Sequence, residues 1–186
     1  MMQDKKALRQ QMKLKRDSLE DKSLLSEIIC KSLLEAECYK SCESVFIYAS
    51  SGSEVETELI AKSALSLGKR VAYPKCLNRA GDMEFFYIDS LSELYEDMYG
   101  IPAPQTENKA YFGSNNSLCI VPGLSFSLDG YRLGYGKGYY DRFLSEFKGV
   151  SIGLCYDACV SSVLPVNEYD KKVNYLITDK RIYNFT

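Results

Sequence analysis

The sequence predicts an α/β protein whose sheet is mostly parallel, and three observations lead to that. The apolar run Val45-Phe46-Ile47-Tyr48-Ala49, a helical stretch ending at Leu67 and the run Arg70-Val71-Ala72-Tyr73-Pro74 read as strand, helix and strand with short links. That order is a βαβ unit, and its crossover implies parallel strands. Further strand-like runs at 118–121, 150–154 and 175–178 continue the alternation. A glycine-rich loop follows the strand at 118–121 and opens another helix, as ligand loops in such sheets do.

In chain order, residues 4–20 form an amphipathic helix with Leu8, Met12 and Leu19 near one stripe. Lys5, Lys6, Arg9, Lys13, Lys15 and Arg16 make it basic, and most of these belong on a solvated face. A second helix covers 23–38, with Leu25, Ile28, Ile29 and Leu33 as its apolar stripe. The strand at 45–49 is broken by Ser50-Ser51-Gly52-Ser53. Ser53 and Glu56 have the spacing of a capping box for the helix that runs to Leu67, and Gly68 stops it. After the strand at 84–88 come a short helical segment at 91–98 and a rigid extended link at 100–104. The last strands flank a loop, Leu164-Pro165-Val166-Asn167-Glu168-Tyr169-Asp170, that carries two acids. No repeat, low-complexity tract or linker divides the chain, so residues 1–186 are expected to form a single domain.

Composition removes several kinds of chemistry. The chain has no histidine, which excludes Ser-His and Cys-His catalysis within it and most zinc hydrolase sites. Its acids and bases must be carboxylates, Lys, Tyr or Cys. Phosphoryl transfer tolerates that restriction, because it depends on positioning and charge stabilisation more than on a strong base. A net charge of −2 argues against a broad nucleic-acid footprint but leaves room for a local basic patch that holds a small polyanion. The seven cysteines contain no C-x-x-C pair and are odd in number, which points to a reduced protein without a disulfide framework or zinc ribbon. No run reaches the ~18 to 20 apolar residues of a membrane span, and the start Met1-Met2-Gln3-Asp4-Lys5 leads into charge rather than a secretory core. A cytoplasmic protein with no membrane and no nucleic-acid partner is expected.

The stretch from Val121 to Leu144 organises the rest. Gly130, Gly134, Gly136 and Gly138 fall close together, with Arg132 and Lys137 between them and Asp141 just after. Successive exposed N–H groups in such a loop form an anion-binding concavity, and the helix starting near Tyr139 adds its N-terminal dipole. It is neither a P-loop, since Gly138 follows Lys137, nor a dinucleotide fingerprint, since Tyr139 stands where the third glycine belongs. A plain glycine-rich turn, aided by the Asp129-Gly130 hairpin signal, would account for the glycines. It would not require Arg132, Lys137 and Asp141 within ten residues. Most of the fifteen tyrosines serve packing; Tyr135, Tyr139 and Tyr140 stand apart because they lie in this loop. Glu54, at the end of the first strand, lies where open α/β sheets bind ligands, although its residue type and place alone read as structural.

R-L-G-Y-G-K-G-Y-Y-D-R-F-L, preceded by V-P-G-L-S-F, resembles the signature of the 5-formyltetrahydrofolate cyclo-ligase (methenyltetrahydrofolate synthetase) family. The likeness extends over most of the chain. It implies a three-layer α/β/α sandwich around a mostly parallel, Rossmann-like sheet. It also implies ATP- and Mg²⁺-dependent conversion of 5-formyltetrahydrofolate to 5,10-methenyltetrahydrofolate, with ADP and phosphate released through a phosphorylated formyl intermediate. Lys5-Lys6-Ala7-Leu8-Arg9 is similar to the family's K-x-x-L-R start, which gives Lys5, Lys6 and Arg9 to ATP. The loop Arg132, Leu133, Gly134, Tyr135, Gly136, Lys137, Gly138, Tyr139 and Tyr140 matches the segment that holds the ATP phosphates, with Lys137 and Arg132 as catalytic cations. The resemblance implies that its inner part, Tyr135 to Tyr139, borders the folate and that Glu54 is the folate-contacting acid. Asp141 and Asp170 match the metal-associated carboxylates. Tyr169 stands where the family often has histidine, Asn174 where a second aspartate is frequent, and Ser127 where an acid often follows the phenylalanine of V-P-G-x-x-F. The partner implied is a small-molecule folate, and the chain is expected to act as a monomer.

Two other classes compete. A non-catalytic folate or nucleotide binder would keep the loop but lose the metal carboxylates, and Asp141 and Asp170 are both present. A sugar-phosphate isomerase or CoA-transferase-like enzyme on a related sheet would need neither ATP nor the N-terminal Lys5 and Arg9.

Overall fold

The computed structural model describes residues 4–78, 82–97, 100–105, 107–110 and 114–186. Among them, helices α1 (Lys5–Asp17), α2 (Lys22–Glu35) and α3 (Glu37–Ser41) precede the first strand, β1 (Ser44–Phe46). The chain continues through α4 (Glu58–Ser66), β2 (Arg70–Cys76), β3 (Met83–Ile88), β4 (Leu94–Glu96), β5 (Pro102–Pro104) and β6 (Ser117–Val121). Strands β7 (Ser125–Ser127) and β8 (Arg132–Leu133) lead into α5 (Tyr139–Glu146), followed by β9 (Val150–Leu154), β10 (Val160–Ser161), β11 (Tyr175–Ile177) and β12 (Ile182–Asn184). No helix of these residues is long and apolar enough to cross a membrane.

A seven-stranded sheet runs in the order β12-β11-β9-β6-β1-β2-β3. Strands β11, β9, β6, β1 and β2 are mutually parallel, and the two edges, β12 and β3, are antiparallel to their neighbours. The central strands need no alternation of polar and apolar residues because both faces are covered; β6 is buried along its whole length. From β1 the chain moves outward to β2 through α4, and from β6 it moves the other way to β9 through α5. Right-handed crossovers in opposite directions place α4 and α5 on opposite faces, the expected three-layer sandwich. On the α5 face, Phe46, Phe85, Phe143 and Phe147 form one aromatic cluster, with Phe85 and Phe143 centroids 4.5 Å apart. A smaller apolar group, Leu8, Leu124, Leu133 and Leu164 with Met12, seats α1 against the β7–β8 hairpin.

Several local expectations are corrected. The Ser53–Glu56 capping box does not form, and α4 starts at Glu58 behind Thr57, whose side chain makes no capping bond. Thr57 instead donates to the Tyr48 carbonyl at 2.6 Å, while Glu56 accepts from Ser23 at 2.6 Å and Ser53 engages Arg16 and Asp17. Tertiary partners outcompete the local cap. The helix expected over 91–98 is a single 3-10 turn, Leu91–Glu93, closed by a capping box between Ser90 and Glu93. It runs straight into β4, which pairs with β5, the segment read as a link; Met98 lies outside the described residues. The helix expected over 23–38 divides at Ala36, whose backbone is extended (φ −69°, ψ 138°). The Asp129-Gly130 signal is a true hairpin turn, with Gly130 at φ 85° between β7 and β8.

Gly149 enters β9 against the end of β6: a Cβ there would meet the Ser117 carbonyl oxygen at 2.0 Å and its carbon at 2.7 Å. Both are backbone atoms of a buried strand and cannot swing aside. Gly149→Ala is expected to cost about 1–3 kcal/mol of stability through overpacking. Urea denaturation checks this, and an unchanged midpoint would contradict it.

Candidate active site

Strands β1 and β6 lie side by side, and the chain leaves them in opposite directions, so a crevice opens beyond their carboxyl ends. A cavity of about 760 Å³ occupies that place. Its sheet side is formed by Tyr48, Ala49 and Glu54 after β1, Pro74 and Cys76 at the end of β2, and Pro122 after β6. The glycine loop from Arg132 to Arg142 closes one wall, and Lys5 and Arg9 of α1 with Asn167 to Lys171 close another.

The loop keeps its shape through its own backbone and through α1. Gly136 has φ 97°, a left-handed value that side chains rarely adopt, and a Cβ there would sit 3.0 Å from the Arg9 guanidinium carbon. Arg9 donates to the Gly134 carbonyl at 2.8 Å, which fixes the first helix to the loop across 125 residues of sequence. Arg142 donates to the Lys137 carbonyl at 2.8 Å, folding the loop back on α5. Lys137 itself is exposed, lines the cavity and makes no ion pair among the described residues. Arg132 is almost wholly buried, at 6% side-chain exposure, and pairs with Asp141 at 2.9 Å. Its Nε has no hydrogen-bond partner among the described residues, which leaves a buried cationic donor in the cavity wall.

At Tyr135 of the loop, three residues join in a hydrogen-bonded chain, Arg16, Tyr135 and Glu54. Arg16 is 5% exposed, unlike most of the basic residues of its helix, which belong on a solvated face. It donates to Ser53 Oγ at 3.0 Å, the Gly123 carbonyl at 3.3 Å and the Tyr135 hydroxyl at 2.8 Å. Burial alone would weaken the guanidinium's hold on its proton, but the bond to Tyr135 and the nearby Glu54 raise its pKa overall. The Tyr135 hydroxyl donates a hydrogen bond to Glu54 Oε1 at 2.7 Å. Burial and the Glu54 charge push the phenol up to about 12, against the opposing pull of Arg16, so Tyr135 stays neutral. Glu54 Oε2 accepts from the Ser51 amide at 3.0 Å.

The carboxylates at the far wall suit a hard divalent cation. Asp141 Oδ1 accepts from the Lys171 amide at 3.3 Å, which brings the segment containing Asp170 beside the start of α5. Asp170 is paired with Lys5 at 2.5 Å and accepts from the Asn167 amide at 2.7 Å. No cluster of three or more His, Cys, Asp or Glu suited to a metal occurs among the described residues. Two carboxylates fit Mg²⁺, which is usually held by one or two of them together with substrate phosphates and water.

Of the residues singled out in the sequence, Lys5, Arg9, Glu54, Asp170 and the whole stretch from Arg132 to Asp141 converge on this cavity. Lys6 does not: it is exposed, outside the cavity wall, and its backbone N–H is capped by Asp4. Arg16 was not among the residues singled out, and Tyr169, noted in the sequence only as a departure from the family's histidine, lies at the rim. A single arginine among six basic residues of one helix carries no signal of burial, although its spacing of i+8 from Leu8 and i+4 from Met12 places it near the apolar stripe.

Comparison with known proteins agrees with this architecture. The 5-formyltetrahydrofolate cyclo-ligase family model matches residues 1–179. A probable 5-formyltetrahydrofolate cyclo-ligase of Caenorhabditis elegans is 29% identical, covering 93% of this chain and 91% of that protein. The 5-formyltetrahydrofolate cyclo-ligase of Mus musculus is also 29% identical, over 93% of this chain and 92% of its own length. The NMR structure of Aquifex aeolicus 5,10-methenyltetrahydrofolate synthetase superposes with a TM-score of 0.85 at 29% identity, covering 97% of this chain and 92% of that one. With a matched family signature that spans nearly all of its length and a shared fold, the chain belongs to the 5-formyltetrahydrofolate cyclo-ligase family.

Proposed function

We propose that this protein closes 5-formyltetrahydrofolate to 5,10-methenyltetrahydrofolate, with ATP as phosphoryl donor and Mg²⁺ as its counterion. One observation supports this above the others: a single cavity joins the cationic glycine loop, the paired carboxylates Asp141 and Asp170, and the Glu54–Tyr135 pair. Ring closure needs such a junction, because the folate nitrogen must reach the formyl carbon while the formyl oxygen is turned into a leaving group. ATP, when bound with Mg²⁺, would supply the phosphoryl group with which that oxygen departs as phosphate, leaving ADP.

The chain's own residues divide the work. Lys137, Arg132 and the loop amides from Arg132 to Tyr140 would hold phosphate oxygens; Lys5 and Arg9 would meet the same anion from the α1 side. Cations fixed before the reaction need no reorganisation as charge develops, which is why such groups act strongly inside a cavity. Asp141 and Asp170 would hold Mg²⁺, and each already sits next to a cation that could turn to phosphate in exchange. Glu54 would accept from an N–H of the folate ring, with Tyr135 stacked along the inner loop. Arg16 does not reach the reacting groups; it positions Tyr135 and the backbone at Ser53 that carries Glu54. The exposed Lys6 is given no contact. The same reading takes residues 1–186 as a single-domain monomer of the cytoplasm, in keeping with seven cysteines that are all free.

Absorbance at the methenyl product's band should rise only with 5-formyltetrahydrofolate, ATP, Mg²⁺ and protein together. Persistence of the rise without nucleotide would favour an ATP-independent enzyme instead. Lys137→Ala should lower kcat roughly 100-fold or more while the protein melts at an unchanged temperature; near-normal turnover would remove Lys137 from the machinery. Asp141→Asn should raise the Mg²⁺ concentration needed for half-maximal rate about tenfold or more, with folate affinity retained. An unchanged Mg²⁺ dependence would place the metal elsewhere.

A further inference from the structure

Between β1 and α4 the chain passes through residues 54–57, which belong to no helix or strand and yet carry Glu54. Backbone polar groups there have no ladder to join, so side chains from distant elements must satisfy them. Tyr48 donates to the Val55 carbonyl at 3.0 Å, and the Cys30 thiol donates to the Glu56 carbonyl at 3.0 Å. Two further groups are closed into one ring of hydrogen bonds. The Glu56 amide donates to Ser26 Oγ of α2 at 3.1 Å, the Ser26 and Tyr156 hydroxyls lie 3.0 Å apart, and Tyr156 donates to the Glu54 carbonyl at 3.2 Å. A carbonyl can only accept, so the single hydroxyl proton of Tyr156 goes to Glu54, and Ser26 must donate to Tyr156. Each hydroxyl proton in the ring is therefore used, and both side chains are only 1% exposed.

Tyr156 stands two residues beyond the carboxyl end of β9, and its ring is part of the main core. A phenylalanine would fill the same space; the hydroxyl is what reaches Glu54 across 102 residues of sequence. Neither Tyr156 nor Ser26 lines the cavity. Tyr135, which holds the Glu54 carboxylate from the front, does line it, so a change there would alter the cavity directly. A change at Tyr156 can reach the cavity only through the backbone of Glu54. A binding carboxylate must be held to within roughly 0.5 Å of its productive place by such supporting bonds. The glycine loop has its own supports, Arg9 on the Gly134 carbonyl and Arg142 on the Lys137 carbonyl, which do not involve this ring. We infer that Tyr156, oriented by Ser26, is a positioning residue that sets the Glu54 carboxylate from behind the cavity wall, and with it the affinity for the folate and not for the nucleotide. The inference rests on the folate contact proposed above for Glu54.

A double-mutant cycle read by calorimetry tests it, with 5-formyltetrahydrofolate and ADP–Mg²⁺ titrated separately into the parent, Tyr156→Phe, Glu54→Ala and the double variant. Tyr156→Phe should raise the folate Kd about fivefold and leave the ADP Kd as it was. In the Glu54→Ala background the same change should move the folate Kd by less than about twofold, because no carboxylate is left to position. An unchanged folate Kd in Tyr156→Phe, an equal loss of both ligands, or the full effect recurring without the Glu54 side chain would each overturn it. Should Tyr156→Phe not fold, Ser26→Ala breaks the ring one bond earlier and takes its place in the cycle, with the same outcomes deciding. If the parent bound folate yet turned none over, the ring-closing function would fail while the cycle still decided the role of Tyr156. A parent that bound no folate would overturn both.

Discussion

The buried guanidinium of Arg16 ties the helix that precedes the sheet to the loops that make the cavity. A cation taken out of water is costly unless it is paired and hydrogen-bonded, and removing its partners leaves that cost exposed. Arg16 meets the requirement only when the loop after β1 offers Ser53, the loop after β6 offers the Gly123 carbonyl and the glycine loop offers Tyr135. The three loops and α1 are therefore held in one arrangement by a single group. Arg9 adds a second tie, to the Gly134 carbonyl, and the leucines around Leu8 supply the apolar contact beneath both. The first helix is in this way a wall of the site, although it contributes no strand order and lies far from the loop in sequence.

The two aspartates of the far wall are each balanced by a cation. Arg132 with Asp141 and Lys5 with Asp170 set a cation beside each carboxylate, so neither sign accumulates unopposed in a cavity that water only partly screens. A polyanion with a divalent counterion could enter by exchanging partners instead of neutralising bare charge. Arg132 is the most committed of these, buried beneath Gly134 with one donor paired and its Nε unused. Lys137, exposed at the turn of the loop, is the most free to follow a ligand.

Much of the fold could be read directly. The alternation of apolar runs and helical stretches pointed to the parallel centre of the sheet, and Gly68 stands past a helix end with the positive φ that such positions favour. What misled were short signals with more than one use. Ser53 and Glu56 have capping-box spacing, yet Ser53 serves Arg16 and Glu56 serves Ser23, because partners distant in sequence were stronger than the local ones. Residues 94–96 gave no strand periodicity in three positions, and only the pairing with 102–104 makes them β.

The same division runs through the site. The glycine loop, its two cations and its aspartate lie within ten residues, and their chemistry is local: glycines that expose amides, charges that attract phosphate, a helix start that adds its dipole. The sequence alone therefore determined the α/β class, the phosphate-type loop and the family resemblance. Only the tertiary structure decided that Arg16 is buried, that Lys6 is left outside, that Asp141 and Asp170 come together, and that the buried Tyr140 hydroxyl has no hydrogen-bond partner among the described residues. Burial and pairing depend on which strand ends meet at the crossover between β1 and β6. That meeting is a property of the folded sheet, not of any one stretch of chain.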